Sequence, residues 1–106
     1  MFARIVSMRL KPNMTAEFTQ TMEKRVLPIL RRQKGFRDEL TFIAPGGMEA
    51  VGISLWDSLE QADAYNNRSY GEVLNELTKL VEGTPQVKAY DVANSTPHNI
   101  AARPAA

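Results

Sequence analysis

Hydrophobic and polar positions along the chain switch between a two-residue and a helical period, and the switches mark out the elements. Residues 2–10, FARIVSMRL, are rich in β-formers and break off at Lys11-Pro12-Asn13, which predicts a first strand. From there the period lengthens: Phe18, Met22, Val26, Ile29 and Leu30 recur at helical spacing. Thr15 is the predicted cap of that helix and Glu17 sits in its first turn. Pro28 falls inside the pattern, and its missing amide donor predicts a kink or a split there. Gly35 then closes the helix after a run of basic residues, and Phe36 is placed to fold back on its last turn.

Alternation returns in DELTFIA (38–44), with Leu40 and Phe42 on one side and Thr41 and Ile43 on the other. A PGG turn at 45–47 and the run MEAVGISLW (48–56) complete a predicted hairpin. Ser58 and Gln61 have the spacing of a capping box and open a second helix. Asn66 and Asn67 are expected to interrupt it, and a second box, Ser69 with Glu72, to restart it. Val73, Leu74, Leu77, Leu80 and Val81 form its predicted apolar stripe, Gly83 ends it, and TPQVKAYDVA (84–93) supplies a fourth strand. The order is β-α-β-β-α-β, a ferredoxin-like α+β fold with helices on one face of an antiparallel four-stranded sheet. Residues 1–93 form the expected domain and 94–106 a tail rich in Ala and Pro.

The strand faces add a quaternary expectation. Val51, Ile53 and Leu55 share one face of the third strand, while Ala50, Gly52, Ser54 and Trp56 share the other and are small rather than charged. A sheet with one face in water alternates more cleanly between apolar and polar. Helices cover one face only, so the other is expected to pack on a second copy, sheet against sheet, in a two-fold homodimer.

Composition narrows the chemistry. With 106 residues the chain is one domain with a modest core. Its 13 basic and 12 acidic side chains nearly cancel, so there is no electrostatic demand for nucleic acid. The basic residues Lys24, Arg25, Arg31, Arg32, Lys34 and Arg37 and the later acidic ones read as solvated faces of opposite sign. Absence of cysteine excludes disulfides and thiolate chemistry. No segment has the ~18 to 20 apolar residues of a membrane span, and MFARIVSMRLKPN is not a signal peptide, so a cytoplasmic protein is expected. A lone histidine, His98, lies in the tail, which leaves no Ser-His-Asp triad and no His/carboxylate metal cluster. Gly46 and Gly47 make a hairpin turn rather than a phosphate loop.

The candidate site is the neighbourhood of the single tryptophan, in ISLWDSLEQADAYNNRSYGEVL (53–74). Trp56 ends an apolar strand just before a helix, and it is either a core plug or the wall of a pocket. In the pocket reading Gly52 and Ser54 leave room for a flat ligand, Tyr65 and Asn66 project from the next helix, and Arg4 offers a cation from the first strand.

The β-α-β-β-α-β order, KGF closing the first helix, and SLWDS leading from the third strand into the second helix together resemble the antibiotic biosynthesis monooxygenase family of the dimeric α+β barrel superfamily. The resemblance covers roughly residues 1–93. It implies sheets paired into a barrel and, in some members, oxidation of quinols or aromatic polyketides by O2 without metal or flavin. Other members degrade haem. Trp56 matches their pocket tryptophan, but Ser7 and Met8 stand where they need an asparagine, and Val73, Leu74 and Asn75 where they need a histidine. The resemblance therefore implies a cofactor-independent monooxygenase acting on a quinol- or anthrone-like aromatic, with no cofactor. A non-catalytic dimer that binds a small aromatic ligand, and a structural or stress-associated dimer, stand beside it.

Overall fold

A computed structural model describes residues 1–98 and Ile100. Strand β1 (Phe2–Leu10) leads into a helical segment built of α1 (Thr15–Thr21), a π-helical turn (Met22–Val26) and α2 (Leu27–Arg31). Strands β2 (Phe36–Ile43) and β3 (Glu49–Trp56) form the hairpin; α3 (Leu59–Arg68), α4 (Tyr70–Leu77) and β4 (Val81–Asp91) follow. The sheet is antiparallel with order β2-β3-β1-β4, so the first strand lies inside and the last at an edge.

Register decides which side chains meet. Trp56 stands opposite Phe2, Ser54 opposite Arg4, Gly52 opposite Val6 and Ala50 opposite Met8. On the other side of β3, Glu39 stands opposite Ser54 and Thr41 opposite Gly52. These residues share the face that the helices cover. The core lies between the two layers: Leu10, Phe18, Val26, Ile29 and Leu30 meet Trp56, Tyr65, Val73 and Leu77 there.

Pro28 does split its helix. It sits in the first turn of α2, directly after the π-helical turn. A proline has no N–H for the carbonyl four residues back and its ring crowds that carbonyl; the wider turn relieves both. Gly35 takes φ +85°, and a Cβ there meets Gln61 Oε1 at 2.0 Å and Gln61 Cβ at 2.8 Å. Gly35→Ala is expected to cost about 2 kcal/mol or more, since it adds left-handed strain to a clash. A urea denaturation midpoint reads it.

Several local expectations are corrected. Thr15 does not cap the first helix; Met14 holds that position, and the Thr15 hydroxyl donates to Gly47 O at 3.1 Å instead. That bond ties the helix start to the hairpin turn, a tertiary use that outcompetes local capping. Asn66 and Asn67 do not interrupt the second helical region: α3 runs through both to Arg68, and the break falls at Ser69. Ser69 precedes α4 without a side-chain cap. Ser58 does cap α3, its Oγ accepting from the Gln61 amide at 3.3 Å. Leu80 and Val81 are buried but lie beyond α4, and Gly83, at φ +70°, belongs to β4 rather than to a helix end. The pairing of β4 with β1 shifts register between Ser7 and Arg9, which is where Gly83 supplies the left-handed residue of a bulge.

The second sheet face carries Ala3, Ile5, Val51, Ile53, Leu55, Leu40, Phe42 and Tyr90 by alternation. Leu40, Phe42 and Tyr90 are 46%, 50% and 51% exposed. After β4 the chain turns back beside this face: Ser95, Pro97 and His98 border one hollow with Leu40 and Leu55, and His98 Nε2 meets Asp38 Oδ2. The rest of the tail, Asn99 and 101–106, lies outside the described residues. No helix among the described residues is long and apolar enough to cross a membrane.

Candidate functional site

Between the sheet and the helices lies a cavity. Arg4, Met8, Gly52, Ser54 and Glu39 are among the residues that line its sheet side, and Tyr65, Tyr70, Met22, Val26, Val73 and Leu77 among those that line its helix side. About 40 Å³ of it is open, room for a few waters at roughly 10–15 Å³ each, so a flat ligand would have to displace flexible side chains such as Met8 and Met22.

Arg4 is the centre of its chemistry. The side chain points from β1 under the helices and is only 4% exposed. Its guanidinium lies over the rings of Tyr70 and Tyr65, at 4.5 and 5.0 Å from their centroids, and Nη2 donates to Asn66 Oδ1 at 2.9 Å. The ion pairs among the described residues join Arg9 to Glu82, Arg32 to Glu72, Arg37 to Asp57 and His98 to Asp38; none uses Arg4. A buried cation without a carboxylate is costly. Aromatic faces and an amide oxygen offset part of that cost, and an anion placed in the cavity offsets more.

The two phenols point the same way. The Tyr70 hydroxyl is buried with no hydrogen-bond partner among the described residues. Burial pushes the Tyr65 phenol up to about 12, against a smaller downward pull from Arg4, and raises Tyr70 for the same first reason. Both are therefore neutral O–H donors at physiological pH. A phenol with a raised folded pKa favours folding below its unfolded value, near 10, and that contribution fades as pH climbs towards 12.

Trp56 stands behind these groups. It is 0% exposed, donates from Nε1 to Ser54 Oγ at 2.9 Å, and stacks on Tyr65 with centroids 4.9 Å apart and planes 25° off parallel. Phe36 meets its other side edge-on at 5.6 Å. It backs the cavity wall rather than forming the lining. Arg4, Gly52, Ser54 and Tyr65 thus come together in one cavity, Asn66 reaches it through Arg4, and Trp56 supports Ser54 and Tyr65.

Two cavity residues were not singled out from sequence. Tyr70 lies five residues after Tyr65, across a helix break at Ser69 that periodicity alone does not locate. Glu39 carried a usable signal, since alternation puts it with Thr41 and Ile43 on the core side of β2. Burial raises its carboxyl, only partly offset by the Thr41 hydroxyl, which donates to Oε2 at 2.8 Å and to Oε1 at 3.1 Å.

A ferredoxin-like sheet whose helix-covered face holds an aromatic-walled cavity defines the class of the chain, and comparison with solved structures gives that fold a more particular setting. The chain has the fold of the antibiotic biosynthesis monooxygenases. It is similar to a monooxygenase from the ActVA-Orf6 gene of Streptomyces coelicolor, solved with nanaomycin D, at TM-score 0.76 and 16% identity over 89% of this chain and 88% of that one. It is similar to SnoaB, a cofactor-independent oxygenase from Streptomyces nogalater, at TM-score 0.74 and 15% identity over 91% and 96%. NE2512 of Nitrosomonas europaea, a protein of unknown function, matches at TM-score 0.73 and 14% identity over 90% and 91%. No protein-family model and no curated protein matches the chain.

Proposed function

We propose that the protein is a cofactor-independent monooxygenase that binds a flat quinol- or anthrone-like aromatic as its anion and oxidises it with O2. The observation that carries this reading is the buried Arg4 guanidinium, without a carboxylate partner among the described residues and beside the unpartnered Tyr70 hydroxyl. In a water-poor cavity such donors stabilise an oxyanion far more than they do in water. Once deprotonated, an electron-rich aromatic itself reduces O2, so the protein has to orient it, hold the negative oxygen and keep water out. Arg4 and Tyr70 hold the oxygen, Asn66 fixes the guanidinium, Gly52 keeps a side chain off the sheet beside Glu39 and Met8, and Ser54 and Tyr65 form a wall that Trp56 backs. The oxygenases of the same fold support the reading.

The test is O2 consumption with anthrone and a naphthoquinol. Asn66→Ala, which frees Arg4 without removing it, is expected to lower turnover about tenfold or more while the protein stays folded; parental turnover would remove the proposed role of Asn66. A protein that only binds aromatics predicts saturable quenching of Trp56 fluorescence with no O2 uptake.

The same reading includes a homodimer through the open sheet face, supported by its exposed Leu40, Phe42 and Tyr90. Phe42→Lys is expected to turn a dimer into a monomer in light scattering, because a charge desolvated in an apolar interface is costly. An unchanged dimer mass in that variant means the copies pair elsewhere.

A further inference from the structure

The sheet side of the cavity carries a carboxyl group on β2 and a guanidinium on β1, with β3 between them. Glu39, Ser54 and Arg4 stand side by side on three neighbouring strands and on the same, helix-covered face. With strands about 4.8 Å apart, the Glu39 and Arg4 backbones are about 10 Å from each other. A carboxylate and a guanidinium line one cavity yet form no ion pair with each other. Left unneutralised, they polarise the slot, with a proton acceptor on β2 and an anion site on β1.

Resting on the oxygenase reading and the anthrone-like substrate it names, we propose that Glu39 is the catalytic base. Anthrone has its methylene and its carbonyl on opposite sides of the central ring. With the oxygen on Arg4 and Tyr70, the methylene faces Glu39. The C–H bond breaks, its proton passes to a Glu39 oxygen, and the electron pair moves through the ring to the oxygen held by Arg4. The anion then reduces O2: a C–O bond forms, and the hydroperoxide anion takes the proton back from Glu39. Glu39 removes the second C–H proton as the O–O bond breaks. The carbon becomes a carbonyl, and the departing hydroxide takes the proton and leaves as water. One oxygen atom thus ends on carbon and the other in water.

The surroundings suit a base. Thr41 steadies the carboxylate through both oxygens, and burial raises its proton affinity above that of a solvated glutamate. Glu23, from the π-helical turn, lines a neighbouring hollow with it, while Arg4, Tyr65 and Tyr70 face it across the cavity. Asp38 and His98, paired with each other, line a third hollow with Glu39, and Glu23 lies on the outer side.

The experiment measures anthrone oxidation against pH for the parent, Glu39→Gln and Thr41→Val, alongside binding of 9,10-anthraquinone by Trp56 fluorescence. Glu39→Gln is expected to bind anthraquinone as the parent does and to lose about a hundredfold or more in kcat, together with the acid limb of the pH profile. Thr41→Val removes a bond that favours the charged carboxylate, so its acid limb moves to higher pH. Parental kcat and an unchanged acid limb in Glu39→Gln would overturn the assignment while leaving the oxygenase reading intact. Equal loss of binding and kcat in that variant, with an unshifted limb in Thr41→Val, would make Glu39 structural and likewise overturn it. A parent that neither binds anthraquinone nor oxidises anthrone removes the oxygenase reading, and the base with it.

Discussion

Arg4→Met is expected to abolish anion binding and lower turnover by about a hundred- to a thousandfold while leaving the protein as stable as the parent or more so. The functional half follows from oxyanion stabilisation: removing one preorganised donor from a water-poor site typically costs that much. The stability half follows from the opposite side of the same fact. Arg4 is buried, and its compensation among the described residues is two aromatic faces and the Asn66 amide. Replacing a buried, incompletely paired charge with an apolar side chain of similar length is often neutral or stabilising by about 1–4 kcal/mol. Methionine also packs adaptably against Tyr65 and Tyr70. Thermal denaturation and ligand titration on one preparation separate the halves. A residue placed for binding shows lost affinity with an unchanged or raised Tm; a residue placed for stability shows a lowered Tm.

Trp56→Ala is expected to show the reverse, with stability as the primary loss. Trp56 is the largest fully buried side chain, wedged between Phe36 and Tyr65 and bonded to Ser54. Truncation loses its transfer energy and opens a void, a cost of about 3–5 kcal/mol. It also strips the Ser54 hydroxyl of its donor. Domains of this size are stable by about 5–15 kcal/mol, so the variant sits close to unfolding at ambient temperature. Trp56→Phe keeps most of the packing and loses the indole donor, so its urea midpoint is expected well above that of the alanine variant. Near-parental stability in Trp56→Ala would mean that the tryptophan belongs to the cavity lining rather than to its support.

Much of the architecture is legible in the chain because it rests on local rules. The hairpin at 38–56 follows from alternation and a PGG turn, the split of the first helix from Pro28, and the start of α3 from Ser58. Several of the failures involve a tertiary partner that local preference does not register. Asn66 reads as a helix breaker, yet α3 runs through it and its amide oxygen accepts from the Arg4 guanidinium. Thr15 reads as a cap and bonds the hairpin instead. Leu80 and Val81 continue a helical apolar stripe in sequence, but a buried turn and a bulged edge strand use the same residues. The site follows the same division. Arg4, Gly52, Ser54 and Tyr65 come to hand from strand alternation and helix spacing. What makes them chemical is invisible along the chain: Arg4 forms no ion pair among the described residues, although Glu39 lines the same cavity from two strands away.

The central claim is that this cavity holds an aromatic anion on Arg4. It is tested most directly by titrating alizarin, a hydroxyanthraquinone whose colour changes on ionisation, into the parent and Arg4→Met. The account predicts that the parent binds the phenolate preferentially, so that the bound dye ionises at lower pH than the free dye, and that Arg4→Met abolishes the shift. An unshifted dye in the parent, or an equal shift in both proteins, contradicts it.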